Sequence, residues 1–321
     1  MSTKPVVLVT RRLPHAVERR LQRDYDARLN LDDEVYSGDR LLALAAGADA
    51  IIPCHTESLN AEVIACLPDS IRAICSFSVG YDHIDLAAAK TRGIVVTNTP
   101  DVLSNATAEI AVLLMLGAAR RAHEGARTLR TDTWADWSAI GQLGIEVTGK
   151  RLGIIGMGRV GQVMARRARG FDMEIHYYNR HRLSPELEAG AVFHADLDNL
   201  LTHSQFLSIH CPATPETHHL LNAERIARLP NDAVVVNTAR GAVVDDDALI
   251  AALTSGGLFA AGLDVFNGEP DIDPRYRALD NTFLLPHIGS ATQETRDAMG
   301  FRALDNLDAI IAGKEPRDRL A

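Results

Sequence analysis

One arginine, two carboxylates and one histidine follow three consecutive strand-like runs towards the end of the chain. "VVVNTARGAVVD" places Arg240 just beyond one run, "AGLDVFNGEP" places Asp264 and Glu269 beyond the next, and "FLLPHIGSAT" places His287 beyond the last. An arginine offers forked donors for an anion, and a histidine beside a carboxylate can transfer a proton. Because ligands of open α/β sheets bind at the carboxyl ends of the strands, these residues could converge on one cleft as a catalytic set.

Each of these residues also has an ordinary explanation. An arginine after a strand is usually a surface residue, a Glu-Pro pair is usually a turn, and a histidine after proline can be a satisfied loop residue. Their occurrence together, in order and at strand ends, favours the catalytic interpretation. The adjacent His218 and His219 lack the H-E-x-x-H pattern of a zinc site, so we expect no metal.

A glycine-rich motif, Gly156-x-Gly158-x-x-Gly161, follows the apolar run "LGII" and opens the helical stretch "VGQVMARRARGF". Glycines at this spacing permit a tight turn, a close backbone approach to a pyrophosphate, and close helix–strand packing. The helix N-terminus adds N–H groups and a positive dipole end for the phosphates. A flavodoxin-like turn without a nucleotide is the alternative, but the strand–turn–helix context predicts a dinucleotide site.

The residues "YYNRHR" follow the second strand of this motif. Asn179 lies eighteen residues beyond Gly161, near the position where an acidic residue would bind the ribose hydroxyls and repel a 2′-phosphate. Asparagine removes that repulsion, and Arg180, with Arg182 as a second candidate, can hold the phosphate through forked donors. The segment therefore favours NADPH over NADH, unless both arginines belong to a solvated loop.

The elements that must position these residues follow a βαβα rhythm, which predicts parallel sheets covered by helices on both faces. Strand-like runs lie at 6–10, 50–53, 73–77, 94–98, 151–156, 174–179, 191–195, 206–210, 233–238, 259–266 and 282–287. A long Ala/Leu-rich helical stretch, 105–130, separates two groups of strands. We predict an α/β protein with two doubly wound parallel sheets, of about five and about six or seven strands. A Rossmann dinucleotide-binding domain, 101–288, is inserted into a flavodoxin-like substrate domain, 1–100 and 289–321.

Composition narrows the class of protein. The chain has 321 residues, 46% of them hydrophobic, and a net charge of −9, which argues against a general nucleic-acid binder. Its four cysteines form no C-x-x-C pair, and the N-terminus enters a strand-like run without a signal-peptide pattern. The longest apolar run, 110–119, is about half of the ~20 residues that span a bilayer. We therefore expect a cytoplasmic protein with no membrane or nucleic-acid partner.

The whole chain resembles the D-isomer-specific 2-hydroxyacid dehydrogenase family, because several of its motifs occur here in the family's order. They are "SVGYDHID" (78–85), "NTPDVLSNATAE" (98–109), "GIIGMGRVG" (153–161), "HCPATPETHHLLN" (210–222), "NTARGAVVD" (237–245), "DVFNGEP" (264–270) and "LLPHIGSAT" (284–292). Within the family, "YYNR" is similar to the glyoxylate/hydroxypyruvate reductases that prefer NADPH. The resemblance implies the family's fold, cofactor and site residues.

For catalysis, the resemblance implies that Arg240 holds the substrate carboxylate and orients the adjacent carbonyl. His287 would donate a proton to the carbonyl oxygen as a hydride arrives from the nicotinamide. Glu269 would pair with the imidazole and fix its orientation. Backbone N–H groups of Val79 and Gly80 would hold the carboxylate from the other domain.

For the cofactor, the resemblance implies contacts along the pyrophosphate, the adenosine and the nicotinamide. Beyond the fingerprint glycines and the "NRHR" segment, these are Arg159, Val160, Thr107, Cys211, Pro212, Thr217, Thr238, Ala239, Asp264, His287 and Gly289.

The resulting hypothesis is a reductase that converts glyoxylate and hydroxypyruvate to glycolate and D-glycerate, with NADPH preferred and NADH as the alternative cofactor. Two other hypotheses stay open: a reductase of larger 2-keto acids, such as sugar-derived acids or phenylpyruvate, and a nucleotide-sensing corepressor-like binding module. We expect a homodimer, by analogy and from the apolar helix at 105–125. Trp134 and Trp137 then either help to close the pocket or pack at the dimer interface.

Overall fold

The computed structural model describes residues 4–321 and divides into two compact units. One unit contains the chain up to Leu103 together with Ala291–Ala321, and the other contains Ser104–Ser290. The strands are β1 (Val6–Val9), β2 (Asp26–Arg28), β3 (Ala50–Ile52), β4 (Ala73–Cys75), β5 (Val95–Thr97), β6 (Arg151–Ile155), β7 (Glu174–Tyr178), β8 (Val192–His194), β9 (Phe206–Ile209), β10 (Val234–Asn237), β11 (Ala260–Leu263) and β12 (Thr282–Leu284).

The α-helices alternate with these strands. They are α1 (His15–Asp24), α2 (Gly38–Ala45), α3 (Ala61–Cys66), α4 (Leu86–Thr91), α5 (Ser104–Ala119), α6 (Ala122–Arg130), α7 (Arg159–Ala168), α8 (Pro185–Glu188), α9 (Leu197–His203), α10 (Ala223–Ile226), α11 (Asp246–Ser255), α12 (Pro274–Ala278) and α13 (Gln293–Ile311). Short 3₁₀ turns lie at Arg169–Phe171, Pro215–Thr217 and Gly241–Val243.

The first unit is built on a five-stranded parallel sheet in the order β2-β1-β3-β4-β5, the flavodoxin-like order. The central strands are buried on both faces, with α1 and α13 contributing to one apolar cluster and α2, α3 and α4 to the other. Strand β2 is not among the strands predicted from the sequence. Its sequence, Asp-Ala-Arg, has no apolar pattern, because Asp26 and Arg28 are exposed at the edge of the sheet.

The second unit is built on a seven-stranded parallel sheet in the order β12-β11-β10-β9-β6-β7-β8. Numbered within the unit, this is the doubly wound Rossmann order with one added strand, and the order reverses between β6 and β9. Helix α5 packs directly on the sheet, since a Cβ at Gly262 of β11 would lie only 2.7 Å from the carbonyl oxygen of Leu114. The predicted two-sheet α/β architecture is confirmed.

The helical stretch predicted at 105–130 is two helices rather than one. The chain leaves α5 after Ala119, and Arg121 takes a left-handed backbone conformation with φ of 53° before α6 begins. Two side-chain bonds from Arg121 to Glu124, one of them 2.7 Å long, fix this break. The single-helix prediction was wrong because helical composition gives no sign of a local turn held by one ion pair.

Candidate active site

The proposed acid–base pair is formed. Nδ1 of His287 lies 2.7 Å from Oε2 of Glu269, and the other carboxylate oxygen accepts the backbone N–H of Phe266 at 2.7 Å. Both side chains are about three-quarters buried. Glu269 therefore fixes the ring orientation and leaves Nε2 as the ring nitrogen that can exchange a proton with a ligand.

Asp264, at the carboxyl end of β11, anchors the backbone that follows His287. Its two carboxylate oxygens accept the N–H groups of Ile288 and Gly289 at 2.8 and 2.7 Å, and the residue is only 1% exposed. Burial raises the pKa of Asp264 to about 6, although the Ile288 N–H, the nearby His287 and the Gly289 N–H oppose the shift. Asp264 is therefore a structural anchor of the histidine loop as well as a candidate cofactor contact.

Arg240 lies on a loop that a buried asparagine shapes. The side-chain oxygen of Asn237 accepts the N–H of Ala239 at 2.9 Å, and its amide donates to the carbonyl of Arg240 at 2.9 Å. The next residue, Gly241, touches the glutamate loop, since a Cβ there would lie 2.0 Å from the carbonyl carbon of Phe266. The arginine loop and the Glu269 loop thus pack backbone against backbone.

A half-buried histidine connects the loop after β9 with the loop after β10. The ring nitrogens of His210 lie 2.9 Å from the Ser208 hydroxyl and 3.2 Å from the Thr238 hydroxyl. Burial lowers the pKa of His210 to about 4, so its ring is neutral at physiological pH. The candidate cofactor residue Thr238 is therefore held by a neutral imidazole that sequence reasoning did not single out.

The fingerprint glycines have three different environments. A Cβ at Gly156, where φ is 91°, would lie 2.6 Å from the backbone nitrogen of Cys211, and a Cβ at Gly161 would lie 2.5 Å from the Gly156 carbonyl oxygen. A Cβ at Gly158 would meet no atom of the described chain within 4 Å. Gly158 precedes α7, whose N-terminus receives no side-chain cap. An open backbone surface at an uncapped helix N-terminus fits a pyrophosphate.

Asn179 joins the end of β7 to the glycine-rich turn. Its side-chain oxygen accepts the Met157 N–H at 2.7 Å, so the amide NH₂ is the end of the side chain that remains to meet a ligand. Arg180 is exposed. It lies close enough to Glu216 for its charge to help lower the pKa of that carboxyl, which the Thr214 hydroxyl lowers most.

Arg182, the second candidate for the 2′-phosphate, forms an ion pair in the structure. Its guanidinium forms two bonds, 2.7 and 3.0 Å, with the buried carboxylate of Glu188, which also accepts the Tyr177 hydroxyl at 2.6 Å. Arg182 and then Tyr177 lower the pKa of Glu188 to about 2. The observed role of Arg182 is to fix the loop after β7.

Comparison with known proteins decides the family. The family model described as "D-isomer specific 2-hydroxyacid dehydrogenase, NAD binding domain" matches residues 112–289. A glycerate dehydrogenase of Hyphomicrobium methylovorum is 45% identical over 321 residues, which is 99% of this chain and 100% of that protein. A glyoxylate reductase of Thermococcus onnurineus is 41% identical over 98% of this chain and 95% of that protein.

The chain belongs to the D-isomer specific 2-hydroxyacid dehydrogenase family. It falls in the glyoxylate/hydroxypyruvate reductase branch and is an NAD(P)-dependent oxidoreductase acting between 2-oxo and 2-hydroxy acids. Among solved structures, it is similar to an NADPH-dependent glyoxylate/hydroxypyruvate reductase from Sinorhizobium meliloti in complex with NADP and malonate. That similarity has a TM-score of 0.90 with 31% identity and covers 99% of this chain and 97% of the other.

The remaining cofactor candidates of this family member lie along the same edge of the second sheet or beside it. The Thr217 hydroxyl donates to the Pro212 carbonyl at 2.7 Å and accepts the Thr214 N–H at 2.8 Å, so it shapes the loop after β9. Burial raises the pKa of the Cys211 thiol to about 11, so this side chain is neutral. Thr107 of α5 borders Gly289, where a Cβ would lie 3.5 Å from the threonine hydroxyl.

In the first unit, Val79 and Gly80 follow β4 on an irregular loop with fixed carbonyl groups. The Ser78 carbonyl accepts the Thr99 N–H at 2.9 Å, and the Val79 carbonyl accepts the Asn98 amide at 2.8 Å. Since a trans peptide points its N–H away from its C=O, these bonds aim the N–H groups of Val79 and Gly80 away from Thr99 and Asn98. Neither N–H donates to an acceptor within residues 4–321. Such a pair suits a carboxylate.

Several residues that shape the site were absent from the sequence prediction, namely Asn98, His210 and Asn237. Each is a polar residue directly after, or at the end of, a buried strand, and each is the first residue of a motif shared with the family. No helix in the described part of the chain combines the length and the apolar character needed to cross a bilayer.

Proposed function

We propose that the enzyme reduces glyoxylate and hydroxypyruvate to glycolate and D-glycerate, with NADPH as its preferred reductant. One observation carries the proposal: Arg240, Glu269 and His287 belong to a single connected set of loops in the second unit. The arginine loop packs on Phe266, the Phe266 N–H binds Glu269, and Glu269 binds His287. Reduction of an α-oxo carboxylate requires a cation that binds the carboxylate and an acid that protonates the carbonyl oxygen. Arg240 and the His287–Glu269 pair can supply these two groups.

When bound, NAD(P)H supplies the hydride that adds to the carbonyl carbon. His287 gives the proton that the carbonyl oxygen needs, through Nε2, while Glu269 holds Nδ1 and balances the imidazolium charge. In the oxidative direction the same nitrogen accepts the hydroxyl proton. The histidine must be protonated before reduction and neutral before oxidation, so one residue serves both directions.

Arg240 binds the carboxylate of the 2-oxo acid through its forked guanidinium, and the Val79 and Gly80 N–H groups are proposed as further donors for it. Bidentate binding of the carboxylate fixes the orientation of the adjacent carbonyl. Glyoxylate and hydroxypyruvate carry little beyond the carboxylate and the carbonyl, so most of their recognition falls on these groups.

Two features support the preference for NADPH. Asn179 meets the ligand with an amide NH₂, which can donate to a 2′-phosphate, whereas an acidic residue would repel it. Arg180 supplies an exposed positive charge beside it. Arg182 contributes indirectly, because its bonds to Glu188 hold the loop that carries Arg180. The similar Sinorhizobium meliloti enzyme is NADPH-dependent by its description.

A second copy of the chain is the proposed partner. The segment after α6 has no regular structure and presents large apolar side chains to solvent, among them Trp134, Trp137, Ile140 and Leu143. Trp137 and Ile140 are 80% and 83% exposed. Contiguous exposed apolar surface of this kind marks an interaction site, and tryptophan is enriched at the cores of interfaces.

The deciding experiment follows the absorbance at 340 nm with purified enzyme, glyoxylate or hydroxypyruvate, and either NADPH or NADH. Fast oxidation of NADPH with a large preference over NADH is the expected result. Faster oxidation of NADH would leave the proposed reductase activity standing. It would refute the recognition of the 2′-phosphate by Asn179 and Arg180. Turnover only with phenylpyruvate or sugar-derived 2-keto acids would replace the substrate, and tight cofactor binding without any turnover would favour the corepressor-like module.

A further inference from the structure

A chain of buried polar side chains lies behind the Val79–Gly80 loop of the first unit. The Ser78 hydroxyl donates to the Gly80 carbonyl at 2.6 Å and lies 2.7 Å from the Ser76 hydroxyl. The Ser76 hydroxyl in turn lies 3.1 Å from Nε2 of His83. Both serines are buried. None of these groups was needed to explain the acid–base chemistry.

The end of this chain determines the direction of every bond in it. A carbonyl oxygen only accepts, so the Ser78 hydroxyl must give its proton to Gly80. Ser78 can then only accept from Ser76, and Ser76 can only accept from the Nε2–H of His83. The result is a one-way relay from His83 to Gly80, in which each bond polarises the next.

Asn98 completes the support of the same loop from another side. Its side-chain amide donates to the Val79 carbonyl at 2.8 Å, and its backbone carbonyl accepts the Asn306 side-chain amide at 3.3 Å. Helix α13 therefore holds Asn98 in place. The carbonyls of Val79 and Gly80 therefore each have a buried side-chain donor. The Val79 carbonyl shares its peptide plane with the Gly80 N–H, and the Gly80 carbonyl shares its plane with the Tyr81 N–H. The two bonds therefore fix both peptide planes that meet at Gly80, and with them the direction of the Gly80 N–H.

We propose that His83, Ser76, Ser78 and Asn98 are positioning residues that set the affinity of the enzyme for the carboxylate of its 2-oxo acid. The inference rests on the proposed function, because it takes the Val79–Gly80 loop as a carboxylate-binding element. A carboxylate is held equally before and during hydride transfer, so loosening its donors weakens binding without slowing the chemical step. The network therefore acts on KM rather than on kcat.

The test compares steady-state kinetics with glyoxylate for wild type, Ser78→Ala and Asn98→Ala. Each variant loses one neutral hydrogen bond to the loop, so KM should rise about fivefold, while kcat stays within about twofold and the Kd for NADPH is unchanged. Ser204→Ala is the matched control, because that buried serine also donates to a carbonyl, of Leu200 at 2.8 Å, but in the second unit. It should lose stability and retain its KM.

A second pair of variants protects the test against misfolding. His83→Gln keeps an N–H donor for Ser76 and should retain the wild-type KM, whereas His83→Leu should raise it as Ser78→Ala does. Unchanged KM in Ser78→Ala, Asn98→Ala and His83→Leu would overturn the proposal, as would a loss confined to kcat. Absence of any 2-oxo acid reduction by the wild type would instead refute the proposed function, and so the two failures are distinguishable.

Discussion

The side chain of Asn179 accepts the backbone N–H of Met157 at 2.7 Å, which joins the residue proposed to select the cofactor to the glycine-rich turn. An aspartate could accept the same bond, because only the oxygen of the asparagine is used. The choice between Asn and Asp at this position therefore changes the charge offered to a ligand without changing the geometry of the turn.

Asn179→Asp should consequently invert or erase the preference for NADPH while leaving the fold intact. We expect the ratio of kcat/KM for NADPH over NADH to fall by about ten- to a hundredfold, since a charged acceptor replaces a donor next to the phosphate. Arg180→Ala should weaken the binding of NADPH far more than the binding of NADH. Arg182→Ala should show the same bias to a smaller extent. Equal weakening of both cofactors in Arg180→Ala would count against phosphate recognition.

His287→Ala should remove most of the chemistry, lowering kcat by roughly 10²- to 10⁴-fold, because a positioned acid or base contributes about that much. Glu269→Gln should lower kcat at least about tenfold, since the amide cannot accept both the histidine N–H and the Phe266 N–H or balance the imidazolium. Fluorescence titration with NADPH is the control and should give near wild-type affinity. Retained kcat in Glu269→Gln would refute the pairing role.

Arg240→Lys should raise the KM for glyoxylate about tenfold or more, although it keeps the positive charge, because lysine lacks the fork that grips both carboxylate oxygens. Arg225→Lys is a matched control, since Arg225 bonds to Asp198 in the same unit and is not a candidate site residue. Wild-type glyoxylate kinetics in Arg240→Lys would show that a point charge suffices there.

Asp264 predicts a specific dependence of stability on pH. Folding raises its pKa from 3.8 to about 6, so the folded protein binds the proton more tightly than the unfolded chain between those values. The free energy of unfolding therefore falls as the pH rises through this window, by about 3 kcal/mol. Urea denaturation of wild type and Asp264→Asn at pH 4 and pH 7 should show the stability of wild type relative to the variant declining by that amount.

Asp273→Asn provides the opposite case. The Arg275 side chain lowers the pKa of Asp273, so its contribution is present above the unfolded pKa and is lost as the pH falls. The stability of wild type relative to this variant should therefore rise with pH. The same trend in both variants would show that at least one of the two carboxyls does not titrate as described.

The dimer proposal predicts that polar substitutions in the exposed segment after α6 dissociate the protein. Trp137→Ser combined with Ile140→Ser should give a monomer by analytical ultracentrifugation at concentrations where the wild type is dimeric, because both side chains lose their apolar contact area. Leu31→Ser is the control, since Leu31 is also exposed but lies in the first unit. A monomeric wild type would refute the proposal directly.

The architecture could be predicted from the sequence because most strands are buried on both faces and appear as short β-branched runs. The exceptions have physical causes. Strand β2 lies at an exposed edge of its sheet, so Asp26 and Arg28 leave it without an apolar pattern. The break at Arg121 depends on one local ion pair. The candidate residues at strand ends could be predicted from the sequence because parallel sheets bring those ends to one edge.

The side chains that hold the site in place could not be predicted from the sequence in this way. Nothing in "VVVN" indicates that Asn237 bonds forward to Ala239 and Arg240, and nothing in "NRHR" indicates that Arg182 bonds to Glu188. A sequence specifies which groups can bond, whereas the backbone path between them decides which ones do.

The contact between Gly241 and Phe266 has a consequence for how this enzyme can change. The loop of Arg240, proposed to bind the carboxylate, and the loop of Glu269, proposed to support the acid–base histidine, share one interface with no room for even a methyl group. We expect a displacement of either loop to move the other, so the proposed carboxylate binding and proton transfer should not change independently here. Evolution or engineering towards larger substrates must leave this junction untouched and enlarge the pocket from residues elsewhere.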